Sequence, residues 1–303
     1  MKLFLRYIAV LSVVIFVFPT FTFSNWLVPP KLTEVIKTNE KLQKIQARKL
    51  RTLKIEPIIL LEEKLSYHTV KSTEAITLNR YDTIDMLVQE INLLKWGYFQ
   101  SILNLWWYDE LTGEPLFQKN KLSEIVQTLD KKPFSLINGQ FFDPNKKITP
   151  LSFGLKMDGV VRTAWADNRD ESKNILVINK WWAQILPYSW DNLRDAEWYL
   201  AMVNLSLTKP KFSNESIWRT YICLKNPDSL NKSPYVLVFI AKAITEVIIE
   251  KELLRWWCTR NSSSKMDSSG STQLWVDGEF IYGNSHKWNP DYRWIPHTIA
   301  IYE

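Results

Sequence analysis

Asp267-Ser268-Ser269-Gly270-Ser271-Thr272-Gln273-Leu274-Trp275-Val276-Asp277-Gly278 sets a carboxylate at the head of a run of small hydroxylated residues. A short apolar run and the turn pair Asp277-Gly278 follow directly. The first half predicts a tight loop carrying an acid, hydroxyl donors and close-approaching backbone amides. Such a loop suits an oxygen-rich ligand such as a sugar or a phosphate, although a plain serine-rich surface turn has the same composition. The second half predicts a buried strand ending in a hairpin turn.

Upstream, residues 218–224 read as another strand, with Arg219 at its mouth and Thr220 beside it. A guanidinium offers a planar fork of donors for phosphate or carboxylate, and an arginine bordering a strand at the surface is the alternative. Earlier still stands Ile137-Asn138-Gly139-Gln140-Phe141-Phe142-Asp143-Pro144. Asn138-Gly139 is a tight-turn signal, and Asp158-Gly159 predicts a second hairpin. Further strands are expected at 134–137, 160–161, 175–178, 200–205 and 235–240, and helices at 85–94 and 122–129. Residues 241–257 place Ile244, Val247, Ile248 and Leu254 on one helical face. Strands with interspersed helices and no regular βαβ alternation predict an α+β domain: a mixed or antiparallel sheet with flanking helices, over residues 61–303.

The chain has 303 residues, 46% hydrophobic and 23% charged, which excludes a disordered chain. Lys2 and Arg6 precede an apolar run over residues 7–23. That pattern predicts a signal peptide over residues 1–24 and export, with an uncleaved N-terminal anchor, and membrane proximity through it, as the alternative. Pro29-Pro30 and a charged, helix-favouring stretch then make residues 25–60 a linker or helical arm. Removing residues 1–24 takes two positive charges from a net +6 and leaves +4, too mild and too dispersed to signal nucleic acid. The two cysteines, Cys223 and Cys258, either close one disulfide loop or remain separate thiols. Their apolar surroundings lean toward free thiols, and their spacing fits no metal site. Fifteen tryptophans, with pairs at 106–107, 181–182 and 256–257, serve as core or as sugar-stacking surfaces. The three histidines form no metal motif, so no metal or cofactor is expected, though aspartate oxygens leave a hard cation open. His286, following Tyr282-Gly283-Asn284, reads as a proton shuttle or as an exposed loop residue.

Taken in order, Asn138-Gly139 with Phe141-Phe142, Asp158-Gly159, Arg219-Thr220, then Asp267, Gly270, Ser271, Leu274 and Gly278, resemble the phosphodiester glycosidase family. Its type domain is the N-acetylglucosamine-1-phosphodiester α-N-acetylglucosaminidase domain. The resemblance implies an exported hydrolase that cleaves a sugar from a glycosyl-1-phosphodiester of an envelope polymer or exopolysaccharide. It implies catalytic carboxylates at Asp267 and then Asp143. Substrate would be held by Asn138, Gly139, Arg219, Thr220, Gly270, Ser271 and His286. Ser268 and Ser269 stand where the family has glycine, Gln140 replaces a common glycine, and Cys223 stands where glycine is usual. These departures define the alternative: a degenerate relative that binds glycan or scaffolds an envelope assembly without turnover.

Overall fold

A computed structural model describes residues 65–164, 172–196, 199–207, 215–268, 271–282 and 294–303. Lys64–Glu303 forms one compact unit. The expected leader and arm, residues 1–60, lie outside the described residues.

The large sheet runs, in spatial order, Tyr67–Ser72 (β1), Ile76–Tyr81 (β2), Met86–Asn92 (β3), Tyr235–Ile244 (β16), Ile217–Leu224 (β14) and Ser263–Lys265 (β17). It continues through Leu200–Ser206 (β13), Lys173–Ile178 (β11), Ala183–Pro187 (β12) and Lys232–Ser233 (β15). Leu155–Met157 (β9) also pairs with β13 and carries Val160–Thr163 (β10). The second sheet is Glu279–Tyr282 (β19), Leu274–Val276 (β18), Ser135–Asn138 (β7), His297–Tyr302 (β20) and Tyr98–Leu103 (β4). A third, small sheet holds Leu105–Tyr108 (β5), Pro115–Gln118 (β6) and Ile148–Thr149 (β8). The α-helices among the described residues are short: Leu122–Gln127 (α1), Trp190–Arg194 (α2) and Glu246–Arg255 (α3).

Side-chain alternation assigns the faces. Leu87, Ile91, Ile222, Val238 and Met202 of the large sheet share one core with Ile137, Leu274, Ile299 and Ile301 of the second. The opposite side of β3, β14 and β16 presents Met86, Val88, Tyr221 and Phe239 to Ile249 and Leu253 of α3. Helix α2 covers Ile175, Val177 and Val203 through Leu193, and α1 covers Leu136, Trp275 and Ala300 through Leu122. A seam therefore runs between the inner faces of the two sheets, and helices cover their outer faces.

Several expectations are corrected. The fold is mostly antiparallel β rather than α+β, because the expected helix at 85–94 is strand β3. Its apolar residues Leu87, Val88 and Ile91 fall at helical spacing, with Gln89 and Glu90 between them, so the strand reads like an amphipathic helix. At 241–257, β16 persists to Ile244 and the helix starts only at Glu246. The stripe assigned to its core faces outward at Val247, Ile248 and Leu254, while Glu246, Ile249, Glu252 and Leu253 are buried. Cys223 and Cys258 form a disulfide rather than free thiols. The β14 face that carries Cys223 and the turn after α3 that carries Cys258 meet in the same core. Both Asp-Gly pairs turn hairpins with positive φ at Asp158, Gly159, Asp277 and Gly278. Asn138-Gly139 does not, because Asn138 closes β7 and the chain runs on without a hairpin.

Candidate functional site

β7 ends on Asn138, whose buried side chain projects into the seam. Its Nδ2 donates to the Asp267 carbonyl at 2.7 Å. Its Oδ1 accepts from Thr220 Oγ1 at 3.1 Å and from the Gln273 backbone N–H at 3.2 Å. One amide thus joins β14, the start of the Asp267 loop and the approach to β18, because a primary amide offers donor and acceptor from a single rigid plane. The backbone of Met266 donates to the Thr220 carbonyl at 3.0 Å, which places the loop directly over β14.

Asp267 emerges from this clamp half-buried, its Oδ1 accepting the Ser268 N–H at 3.0 Å. Ser268 Oγ donates to the Met266 carbonyl at 3.0 Å and accepts from Thr220 N–H at 3.5 Å. Ser268 does not adopt a positive φ, so serine fits where the family pattern has glycine. Ser271 and Thr272 are buried, and Thr272 Oγ1 lies 3.4 Å from Thr220 Oγ1. The result is a half-buried acidic residue whose backbone position is fixed by Asn138.

Gly139 is needed for space, since a Cβ there would sit 2.3 Å from His297 Nδ1. The buried His297 ring accepts from Gln140 N–H at 3.0 Å through Nδ1 and lies 2.7 Å from Ser101 Oγ through Nε2. The backbone donor makes Nδ1 the acceptor, so Nε2 carries the proton and gives it to Ser101. Burial pushes the His297 pKa down to about 3, so the ring is neutral at physiological pH. Sequence reasoning passed over His297; its one signal is a lone ionisable residue heading the apolar run Ile299-Ala300-Ile301. Gln140 donates to the Val203 and Gly154 carbonyls at 2.7 and 3.3 Å, tying the chain after β7 to β13.

The structure thus brings together Asn138, Gly139, Thr220, Asp267 and Ser271. Arg219 is on the other face of β14 from Thr220, completely buried, and its guanidinium donates to the Ile244 and Glu215 carbonyls, both at 2.8 Å. It shares that face with Tyr221, whose hydroxyl donates to Glu246 at 2.7 Å. Asp143 lies in a turn of its own, accepting the Asn145 N–H at 2.9 Å with Lys146 Nζ 3.9 Å away. Gly270, Ser269 and His286 lie outside the described residues. Among the described residues no group of three or more His, Cys, Asp or Glu side chains is arranged to hold a metal ion.

No protein-family model matches the chain, and no curated protein matches its sequence. Among solved structures it is similar to the catalytic domain of zebrafish N-acetylglucosamine-1-phosphodiester alpha-N-acetylglucosaminidase, auto-inhibited by its pro-peptide. The two are 12% identical with a TM-score of 0.53, over 79% of this chain and 82% of that one. A hypothetical protein from Synechocystis matches at 10% identity and a TM-score of 0.44, over 79% of this chain and 64% of the other. The first likeness is one of fold alone.

Proposed function

We propose that this chain is a hydrolase of the phosphodiester glycosidase type, releasing a sugar from a glycosyl-1-phosphodiester. The observation that carries the reading is Asp267 at the sheet seam, its backbone carbonyl accepting from Asn138 Nδ2 while Asn138 Oδ1 accepts from Thr220. The long-range likeness to a glycosidase domain supports it. Cleavage at an anomeric carbon passes through an oxocarbenium-like state, which a nearby carboxylate stabilises by charge or by forming a glycosyl–enzyme bond. The leaving phosphate spreads its charge over several oxygens, so one carboxylate without a strong general acid suffices. Ser268 and Ser271 supply hydroxyls beside it, and Asn138 acts as a positioning residue whose amide fixes the Asp267 backbone. Arg219 has no part in this scheme, being committed to carbonyls on the outer face of β14. The leader-like residues 1–24 and the disulfide between Cys223 and Cys258 support export to an oxidising compartment.

One observation favours a second reading, binding without turnover: Asp143, the other expected catalytic carboxylate, accepts the Asn145 N–H in a separate turn and has no described bond to the Asp267 cluster. A p-nitrophenyl sugar phosphodiester separates the two. Turnover by the wild type that falls about 10²–10⁴-fold in Asp267→Asn, with an unchanged circular dichroism spectrum, is the expected result. Wild-type protein that binds glycan and releases no nitrophenyl product would establish the second reading.

A further inference from the structure

We propose that the aromatic groove at the opposite end of the seam is a second binding site, for an anionic saccharide. Strand β4 separates the two places. Its Leu103 pairs with His297 beside the Asp267 cluster, and its Tyr98 pairs with Tyr302. Five strand steps of about 3.4 Å put them roughly 17 Å apart.

At the Tyr98 end lies a cavity of about 240 Å³, lined among others by Trp96, Tyr98, Tyr199 and Lys180. That is room for about eight waters, the size of one small ring-shaped ligand. Trp96 is 58% exposed, Tyr199 60%, Tyr98 40%, and neighbouring Trp181 44%. The aliphatic wall residue, Ile178, is buried, so the surface on offer is aromatic. Trp96 is held outward in the left-handed region, φ 70°, a costly conformation for a bulky residue. The next residue, Gly97, permits it by close packing, since a Cβ there would meet Ile91 Cγ2 at 2.7 Å.

Lys180 supplies the charge. Asn179 Oδ1 accepts from the backbone N–H of Trp181 and Trp182 at 2.7 and 2.8 Å, shaping the β11–β12 turn that carries Lys180. The ammonium lies 4.6 Å from the Trp96 ring centroid and 4.9 Å from that of Trp181. A cation held between two open rings fits a ligand with an apolar C–H face and an anionic substituent. The face stacks on indole or phenol, and the substituent, a phosphate or a carboxylate, meets the ammonium. A sugar bearing such a group has both features in one ring.

The site stands independently of the hydrolase reading, and affinity electrophoresis of the full chain tests it. The gels contain phosphomannan, polygalacturonate or neutral dextran. Wild-type protein is expected to be retarded by both anionic polymers more than by dextran. Trp96→Ala and Tyr199→Ala each weaken that retardation roughly three- to tenfold. Lys180→Met removes the preference for the anionic polymers. Asp267→Asn leaves retardation by polygalacturonate, which has no phosphodiester, unchanged, and this separates the site from the proposed catalytic one. Retardation of the Trp96→Ala and Tyr199→Ala variants equal to wild type overturns the proposal. So does Trp96-dependent sedimentation with phosphatidylcholine–phosphatidylglycerol vesicles without polymer binding, or a Trp96-dependent dimer by light scattering without it. Tyr199→Ala, at the most exposed of the four rings, keeps the test open should Trp96→Ala not fold.

Discussion

Gly139 and His297 interlock, the ring occupying the space a glycine Cβ would take. That ring must stay neutral, because Nδ1 already accepts a backbone N–H and burial penalises a second proton. The folded pKa near 3 lies below the ordinary histidine value of 6.5. Between those two values the unfolded chain binds the extra proton and the folded one does not. His297 therefore contributes stability that is complete above pH 6.5 and lost as pH falls toward 3, with a slope approaching about 1.4 kcal/mol per pH unit. Urea titrations at pH 7 and pH 5 are expected to show the lower midpoint at pH 5, and His297→Gln to flatten the difference. That Asp267 and Ser268 leave β17 in a loop was legible in the sequence, because small hydroxylated residues favour turns, whereas a plain turn of the same composition hides any chemical use of the acid. The place of Arg219 was not legible: strand alternation turns adjacent residues to opposite faces, so Thr220 enters the seam only by sending its neighbour away.

Helix α3 docks through two buried carboxylates as well as apolar contacts. Tyr221 donates to Glu246 at 2.7 Å, and Tyr81 donates to Glu252 at 2.8 Å. Trp256 Nε1 donates in turn to the Tyr81 hydroxyl at 2.8 Å. Burial pushes the pKa of both tyrosine hydroxyls up, so they remain donors. Removing one leaves a buried carboxylate short of a hydrogen bond, and Tyr221→Phe is expected to cost about 1–3 kcal/mol in urea unfolding. Polar residues thus occupy the buried stripe of α3, which is why apolar spacing assigned its core face to the exposed side. The disulfide fastens the same region to β14, closing a loop over a sequence separation of 35, worth about 3–4 kcal/mol on the loop-entropy account.

Among the described residues, eleven of the seventeen strand pairings join strands that are not consecutive in sequence. β3 pairs with β16, and β7 is sealed on both sides by β18 and β20. Strand identity was readable at many places, since β-branched and aromatic runs bounded by turn residues mark strands locally. The sheet order was not, because pairing across more than a hundred residues leaves no periodic trace in the chain. Such non-local pairing makes folding slow. A chain ending at residue 296 lacks β20, so β7 and β4 lose their shared partner. It is expected to show no cooperative thermal transition by circular dichroism.

The interior position of β20 carries a timing rule. In order of synthesis this strand follows every strand it touches, so the second sheet closes only after its other members have left the ribosome. Emergence of residues 297–302 joins β4 to the β19-β18-β7 ladder and completes the second sheet.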